Sequence, residues 1–61
     1  MRDPKRIDEF CAELARLWHE YPDFRFGQMF SNVCSCNNVS DPFYIEDDEM
    51  LNMFKKYFGE E

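Results

Sequence analysis

The sequence predicts an all-α fold, a compact three-helix mini-domain with an aromatic-rich core. A chain of 61 residues has room for one small domain, which we place over residues 1–61. Apolar residues recur at helical spacing in three separate segments. The chain also contains seven Phe, three Tyr and one Trp, and each aromatic side chain can bury roughly 150–250 Å². A few such side chains are enough to hold the three helices together.

The first helix is predicted over residues 4–21. Asp3 is a suitable N-cap, and Pro4 suits the first helical position because it has no N–H group to satisfy. Pro22 then ends the helix. The apolar residues that define its buried face follow a spacing of three and four: Ile7, Phe10, Cys11, Leu14, Leu17, Trp18 and Tyr21.

A second, shorter helix is predicted over residues 24–33, with Asp23 as its N-cap. Its apolar face consists of Phe26, Met29, Phe30 and Val33. The segment 34–42 is rich in Ser, Asn and Asp and has no periodicity, so it is predicted to be a loop.

The third helix is predicted over residues 47–58, with Glu46 as N-cap and Glu49 at the capping-box position. Acidic residues occupy its first turn, basic residues occupy its last turn, and Gly59 follows, all of which favour a helix that ends there. We expect the Glu60–Glu61 tail to be frayed. The buried face is predicted to contain Met50, Leu51, Phe54, Tyr57 and Phe58.

The charge is negative and unevenly distributed. Thirteen acidic and seven basic residues give a net charge of −6, and residues 26–61 contain seven of the acids but only two bases. A phosphate backbone would be repelled by this half, so direct binding of nucleic acid is not expected. No apolar run approaches the roughly 20 residues of a membrane span, and the N-terminus lacks the apolar core of a signal peptide. We therefore expect a cytoplasmic protein without membrane contact, and its odd number of cysteines fits reduced thiols.

The most distinctive segment is residues 41–49, which contain five acids, three large apolar side chains and no base. Helix capping and solubility account for some of these acids. The alternative is a docking face for a basic partner, on which Phe43 or Tyr44 would supply an aromatic anchor. Phe43 and Tyr44 are expected to form a brief extended segment. The candidate partner-binding residues are Asp41, Phe43, Tyr44, Glu46, Asp47, Asp48 and Glu49.

No catalytic motif is present, and the predicted protein is not an enzyme and has no cofactor. Cys34 and Cys36 are weak metal candidates that would complete a zinc site together with Cys11 and His19. Their C-x-C spacing is poor for such a site, and Cys11 belongs to the apolar stripe of the first helix. An ordinary pair of loop thiols is the simpler interpretation.

Three segments together resemble a widespread set of short, uncharacterised bacterial and phage proteins. The shared pattern is W-x₃-P-D-x-R-x-G-Q … D-x-F-Y-x-E-D, carried here by residues 18–28 and 41–47, with residues 2–7 as the third segment. The resemblance implies a small helical protein of bacteria or mobile elements, and it transfers no activity. The loop at residues 34–38 is longer and richer in cysteine than the pattern. In size and charge the chain is also similar to small acidic phage inhibitors such as anti-CRISPR proteins, an analogy at the level of class.

These observations predict a non-enzymatic acidic protein, a monomer or weak homodimer, that binds a basic and nucleic-acid-binding partner protein. Its most concrete form is a phage-encoded, DNA-mimicking inhibitor of the anti-CRISPR type that occupies the nucleic-acid site of its target. One alternative is a small bacterial adaptor that binds through exposed aromatic side chains. A second alternative is a small zinc-stabilised domain.

Overall fold

The computed structural model describes residues 2–60. Three α-helices follow one another along the chain: α1 (Lys5–His19), α2 (Phe26–Cys36) and α3 (Asp47–Tyr57). A short 3₁₀ turn, Pro42–Tyr44, precedes α3, and this part of the chain contains no strand. The predicted all-α, three-helix fold is confirmed. None of the helices within residues 2–60 has the length and apolar character needed to cross a bilayer.

The helix α1 is shorter than predicted at its C-terminal end. The N-cap is Pro4, one residue later than the predicted Asp3. The Asp3 carboxylate still accepts a hydrogen bond of 2.9 Å from the Lys5 N–H group. The helix ends at His19 instead of residue 21, and a turn follows. The indole N–H of Trp18 donates to the Phe24 carbonyl at 2.8 Å, which holds that turn against the helix.

The N-terminus of α2 lies two residues later than predicted. Arg25, with extended backbone angles, takes the N-cap position that was assigned to Asp23. The Gln28 side-chain oxygen accepts a hydrogen bond of 2.9 Å from the Arg25 N–H group. This bond satisfies one of the N–H groups that a helix start leaves unpaired, a task for which Asp23 is too far upstream.

The C-terminus of α2 contradicts the prediction of a loop from residue 34, because the helix continues through Cys36. Asn38 has a left-handed backbone with φ of 57°. The Val39 N–H group donates to the Cys34 carbonyl at 2.8 Å, and the Asn38 N–H group donates to the Ser35 carbonyl at 3.1 Å. These two bonds form a Schellman motif in which asparagine replaces the usual glycine. Glycine is the usual sign of such a helix end, and because this segment contains none, the end was not predicted from the sequence.

The helix α3 ends in a second Schellman motif, here with Gly59 at φ of 80°. The Glu60 N–H group donates to the Lys55 carbonyl at 2.8 Å. The Glu60 carboxylate also binds the Arg16 guanidinium through two hydrogen bonds of 2.8 and 2.9 Å. The expectation of a frayed tail is therefore wrong for Glu60, whereas Glu61 lies outside the described residues.

The core forms where α3 packs against both other helices, because α1 and α2 contact each other only slightly. Phe54 is the only aromatic side chain of residues 2–60 that is fully buried. Other aromatic side chains surround this centre and are partly buried. The buried cluster consists of Leu17, Met29, Val33, Met53 and Phe54, and the partly buried aromatic side chains are Trp18, Phe24, Phe30, Tyr57 and Phe58.

The predicted buried stripe of α1 is covered only in part. Leu17 is its one buried residue within the described chain. Ile7 is 50% exposed, and Cys11 and Tyr21 are exposed as well. Phe26 of α2, also predicted to be buried, is 43% exposed. For α1 the physical reason is that only α3 packs closely along this helix. One helix cannot cover an apolar stripe that is wide enough to contact two helices.

Ion pairs connect the C-terminal half of α1 to the end of α3. Arg16 binds both Glu60 and Glu13, and Lys55 lies 3.5 Å from the Glu13 carboxylate. Hydrogen bonds from Arg16 lower the pKa of Glu60 and of Glu13, while Glu60 and then Glu13 raise the pKa of Arg16. These charges favour the folded state only while the carboxylates are ionised.

Substitution of Gly59 by alanine should lower the free energy of unfolding by about 1 kcal/mol, because a side chain disfavours the left-handed backbone. An added Cβ meets no atom within 4 Å at either Gly59 or Gly27, so steric contact does not enter. Gly27→Ala is the matched control, and we expect it to raise stability by up to about 1 kcal/mol because Gly27 is helical. Urea unfolding measures both values. A destabilised Gly27→Ala variant, or an unchanged Gly59→Ala variant, would contradict this assignment.

Acid should weaken the contact between Glu60 and Arg16. The pKa of Glu60 is lowered from its ordinary value of 4.5 in the folded state, so its contribution is complete above pH 4.5 and disappears as the pH falls through the lowered pKa. Stability of Glu60→Gln should therefore depend less on pH below 4.5 than stability of the wild type. Thermal unfolding across this range measures the difference. Glu9→Gln, which also removes one exposed carboxylate of the chain, is the matched control for the loss of a negative charge.

Candidate functional site

The turn Pro42–Tyr44 has a defined geometry. Asp41 caps it, since its carboxylate accepts a hydrogen bond of 3.1 Å from the Phe43 N–H group. Pro42 supplies the fixed φ angle of the first position. The Ile45 N–H group closes the turn by donating to the Pro42 carbonyl at 3.0 Å. The predicted extended segment at Phe43 and Tyr44 is therefore wrong, because the Asp41–Pro42 pair favours a turn.

Both aromatic side chains of this turn point into solvent. Phe43 is 79% exposed and Tyr44 is 82% exposed, the highest values among the large apolar side chains of residues 2–60. Their ring centroids lie 4.8 Å apart at an interplanar angle of 73°, an edge-to-face pair. The next residue, Ile45, packs against the core. The backbone is thus anchored on one side of the turn while the ring pair is displayed on the other.

Two of the five candidate acids are bound to arginines of the N-terminal segment. The Arg2 guanidinium lies 2.9 Å from the Glu46 carboxylate, and Arg6 forms an ion pair with Asp47. The Glu46 side chain accordingly makes no capping bond to α3, although Glu46 does occupy the predicted N-cap position. Sequence reasoning missed both arginines, because each lies about 40 positions away in the chain.

The other three acids have no cation within ion-pair distance among residues 2–60. Asp41 is used in the turn, and Asp48 accepts a hydrogen bond of 2.9 Å from the Glu49 N–H group. Asp41, Asp48 and Glu49 are all exposed. Of the five candidate acids, three are therefore not in an ion pair within residues 2–60. We use the name aromatic–acidic surface for the exposed residues of segment 41–49 that form no ion pair in this part of the chain: Asp41, Phe43, Tyr44, Asp48 and Glu49.

The weak zinc candidates are not brought together. Cys34 is buried near the end of α2, whereas Cys36 and Cys11 are exposed, and all three are free thiols. Cys34 and Cys36 lie in a helix and not in the loop that was predicted. Residues 2–60 contain no group of three or more His, Cys, Asp or Glu side chains arranged to hold a metal ion. The zinc-stabilised alternative thus lacks geometrical support.

No protein-family model, curated protein or solved structure matches this chain.

Proposed function

We propose that this chain is a non-enzymatic protein-binding module, and that its contact is the aromatic–acidic surface. The observation that supports this proposal is the exposure of Phe43 and Tyr44 as an edge-to-face pair on a capped turn. Full burial of one such side chain is worth roughly 1.5–3 kcal/mol. A small fold that needs every apolar contact gains little stability from two rings held outside its core.

The arrangement resembles the energetic centre of a protein interface. Aromatic side chains are enriched among the residues that dominate binding energy, and polar residues around them exclude water. Phe43 and Tyr44 are fixed by the turn, so docking them would cost little conformational entropy. The unpaired acids Asp41, Asp48 and Glu49 surround this pair in the sequence and would contribute at the rim.

The proposed partner carries a basic surface. A net charge of −6 would accelerate the encounter with such a surface. Because basic surfaces commonly bind nucleic acid, the partner would be a nucleic-acid-binding protein, and this chain would then act as an inhibitor that occupies the same site. The ion pairs at Glu46 and Asp47 place more weight on the ring pair than on imitation of a phosphate backbone.

Replacement of both Phe43 and Tyr44 by alanine should reduce the amount of partner that the tagged chain captures from a cell lysate at least about tenfold. The lysate is prepared from the organism that encodes the chain, or from cells that this organism infects. Quantitative mass spectrometry of proteins bound to the tagged chain measures this ratio. Helical circular dichroism should not change, because neither ring packs against the core.

Tyr21→Leu is the matched control. It alters another exposed aromatic side chain while keeping an apolar contact for Phe58, on which Tyr21 stacks with a centroid distance of 4.8 Å. Capture by this variant should equal that of the wild type. Equal capture by the Phe43/Tyr44 double variant would overturn the proposal.

Release of the paired acids should strengthen binding to a basic partner. Replacement of Arg2 and Arg6 by glutamine removes two positive charges and frees Glu46 and Asp47. We expect a higher association rate that depends more steeply on salt, because electrostatic steering increases. Surface plasmon resonance with the captured partner measures both quantities.

Charge reversal provides the opposite test. Asp48→Lys with Glu49→Lys should slow association, whereas the control pair Glu20→Lys with Asp23→Lys makes the same change in net charge on the turn between α1 and α2. Duplex DNA should compete with the wild-type chain for the partner. Equal effects of the two charge reversals would show that only net charge matters and would remove the acids from the site.

A further inference from the structure

An apolar strip on α1 is left uncovered by the fold. We define the α1 strip as Ile7, Cys11, Ala15 and Trp18. At about 100° per residue these positions fall within roughly 80° of one another on the helix. Ile7, Cys11 and Ala15 are exposed, and Trp18 is partly buried. The strip contains no charge, whereas α3 covers the neighbouring face through Leu17.

The two ends of the α1 strip differ in shape. At its N-terminal end Ile7 projects with half of its surface exposed. At its C-terminal end a surface pocket of about 310 Å³ is lined by Ala15, Trp18, His19 and Pro22. A protruding aliphatic side chain at one end and an apolar hollow at the other are complementary when two such helices lie antiparallel.

One acidic side chain and one imidazole lie beside the α1 strip, near its two ends. Asp8 flanks its N-terminal end and His19 flanks its C-terminal end, on the same edge of the helix. Neither forms an ion pair with another residue of the described chain. In an antiparallel pair of α1 helices each Asp8 would face His19 of the other copy.

We propose that the α1 strip is the contact surface of an antiparallel, two-fold symmetric homodimer. Ile7 of each copy fills the pocket beside Trp18 of the other copy, Asp8 faces His19 of the other copy, and Cys11 lies near the symmetry axis. The contact is isologous, so every interaction occurs twice and the assembly closes at two chains. Four side chains per copy make a small patch, well below the roughly 1,200 Å² of a stable interface, so the dimer is weak and reversible.

Sedimentation equilibrium under reducing conditions tests the dimer directly, with loading concentrations up to about 1 mM. The wild type should show a reversible monomer–dimer equilibrium. Ile7→Ser should raise the dissociation constant at least about tenfold, because the apolar contact is lost twice. Phe43→Ala should leave the dissociation constant unchanged, which separates this surface from the proposed partner site. A wild type that stays monomeric throughout would overturn the proposal.

Cross-linking with a short bismaleimide tests the location of the axis without altering an apolar contact of the core. Cys36→Ser leaves Cys11 as the exposed thiol, and Cys11→Ser leaves Cys36. The covalent dimer should form faster through Cys11 than through Cys36 at equal concentration. Equal rates through the two thiols would place the contact elsewhere and reject it.

A charge exchange tests the antiparallel arrangement. Asp8→Lys and His19→Asp should each raise the dissociation constant. The double variant should restore most of the affinity, because the lysine at position 8 of each copy would then face the opposite charge at position 19 of the other copy. Circular dichroism confirms that each variant remains helical. A double variant that dimerises less well than either single variant would exclude the antiparallel arrangement.

Discussion

The packing of α3 against both other helices is the constraint on which the structure depends. Phe54 is almost fully buried and lies with Leu17 of α1 and Met29 of α2 in a single cluster. Since α1 and α2 contact each other only slightly, their relative position is set through α3. Ion pairs support this packing at both ends, from Arg6 to Asp47 at the start of α3 and from Arg16 to Glu60 beyond its end. Exposed ion pairs add little stability individually, so their main effect here is to fix orientation.

This constraint also determines which apolar surface remains free. A domain of about 60 residues buries only about 60% of the surface of its unfolded chain, so some apolar exposure is expected. Tyr21 and Phe26 are of that kind, because Tyr21 still stacks on Phe58 and Phe26 on the buried Phe54. Phe43 and Tyr44 differ, since they contact each other and do not join the core. The capped turn holds them outward at the point where the chain enters α3.

The sequence predicted the features that depend on local interactions. Helical periodicity identified α1. Acidic residues in the first turn and basic residues in the last turn identified α3, and Gly59 identified its end. The C-terminus of α2 was not predicted, because the residue with a left-handed backbone after this helix is Asn38 and not glycine, the residue type that usually marks such a helix end. Periodicity gives the width of an apolar stripe but not the number of helices that cover it, so the exposure of Ile7 and Cys11 was not predicted.

The candidate residues of segment 41–49 were named from the sequence, but their arrangement was predicted only in part. Phe43 and Tyr44 were identified as an anchor on condition that they are exposed, and they are. The turn that displays them and the arginines that neutralise Glu46 and Asp47 were not foreseen. Long-range ion pairs join residues far apart in sequence, so a local count of charge overstates the free acidity of residues 41–49.

Hydrogen–deuterium exchange of the chain, free and bound to its captured partner, tests the central claim most directly. Our account predicts that new protection in the complex is concentrated in residues 41–49, and that α2 exchanges as it does in the free protein. Protection centred on α2 or on the end of α3, with residues 41–49 unchanged, would contradict the aromatic–acidic surface as the binding site.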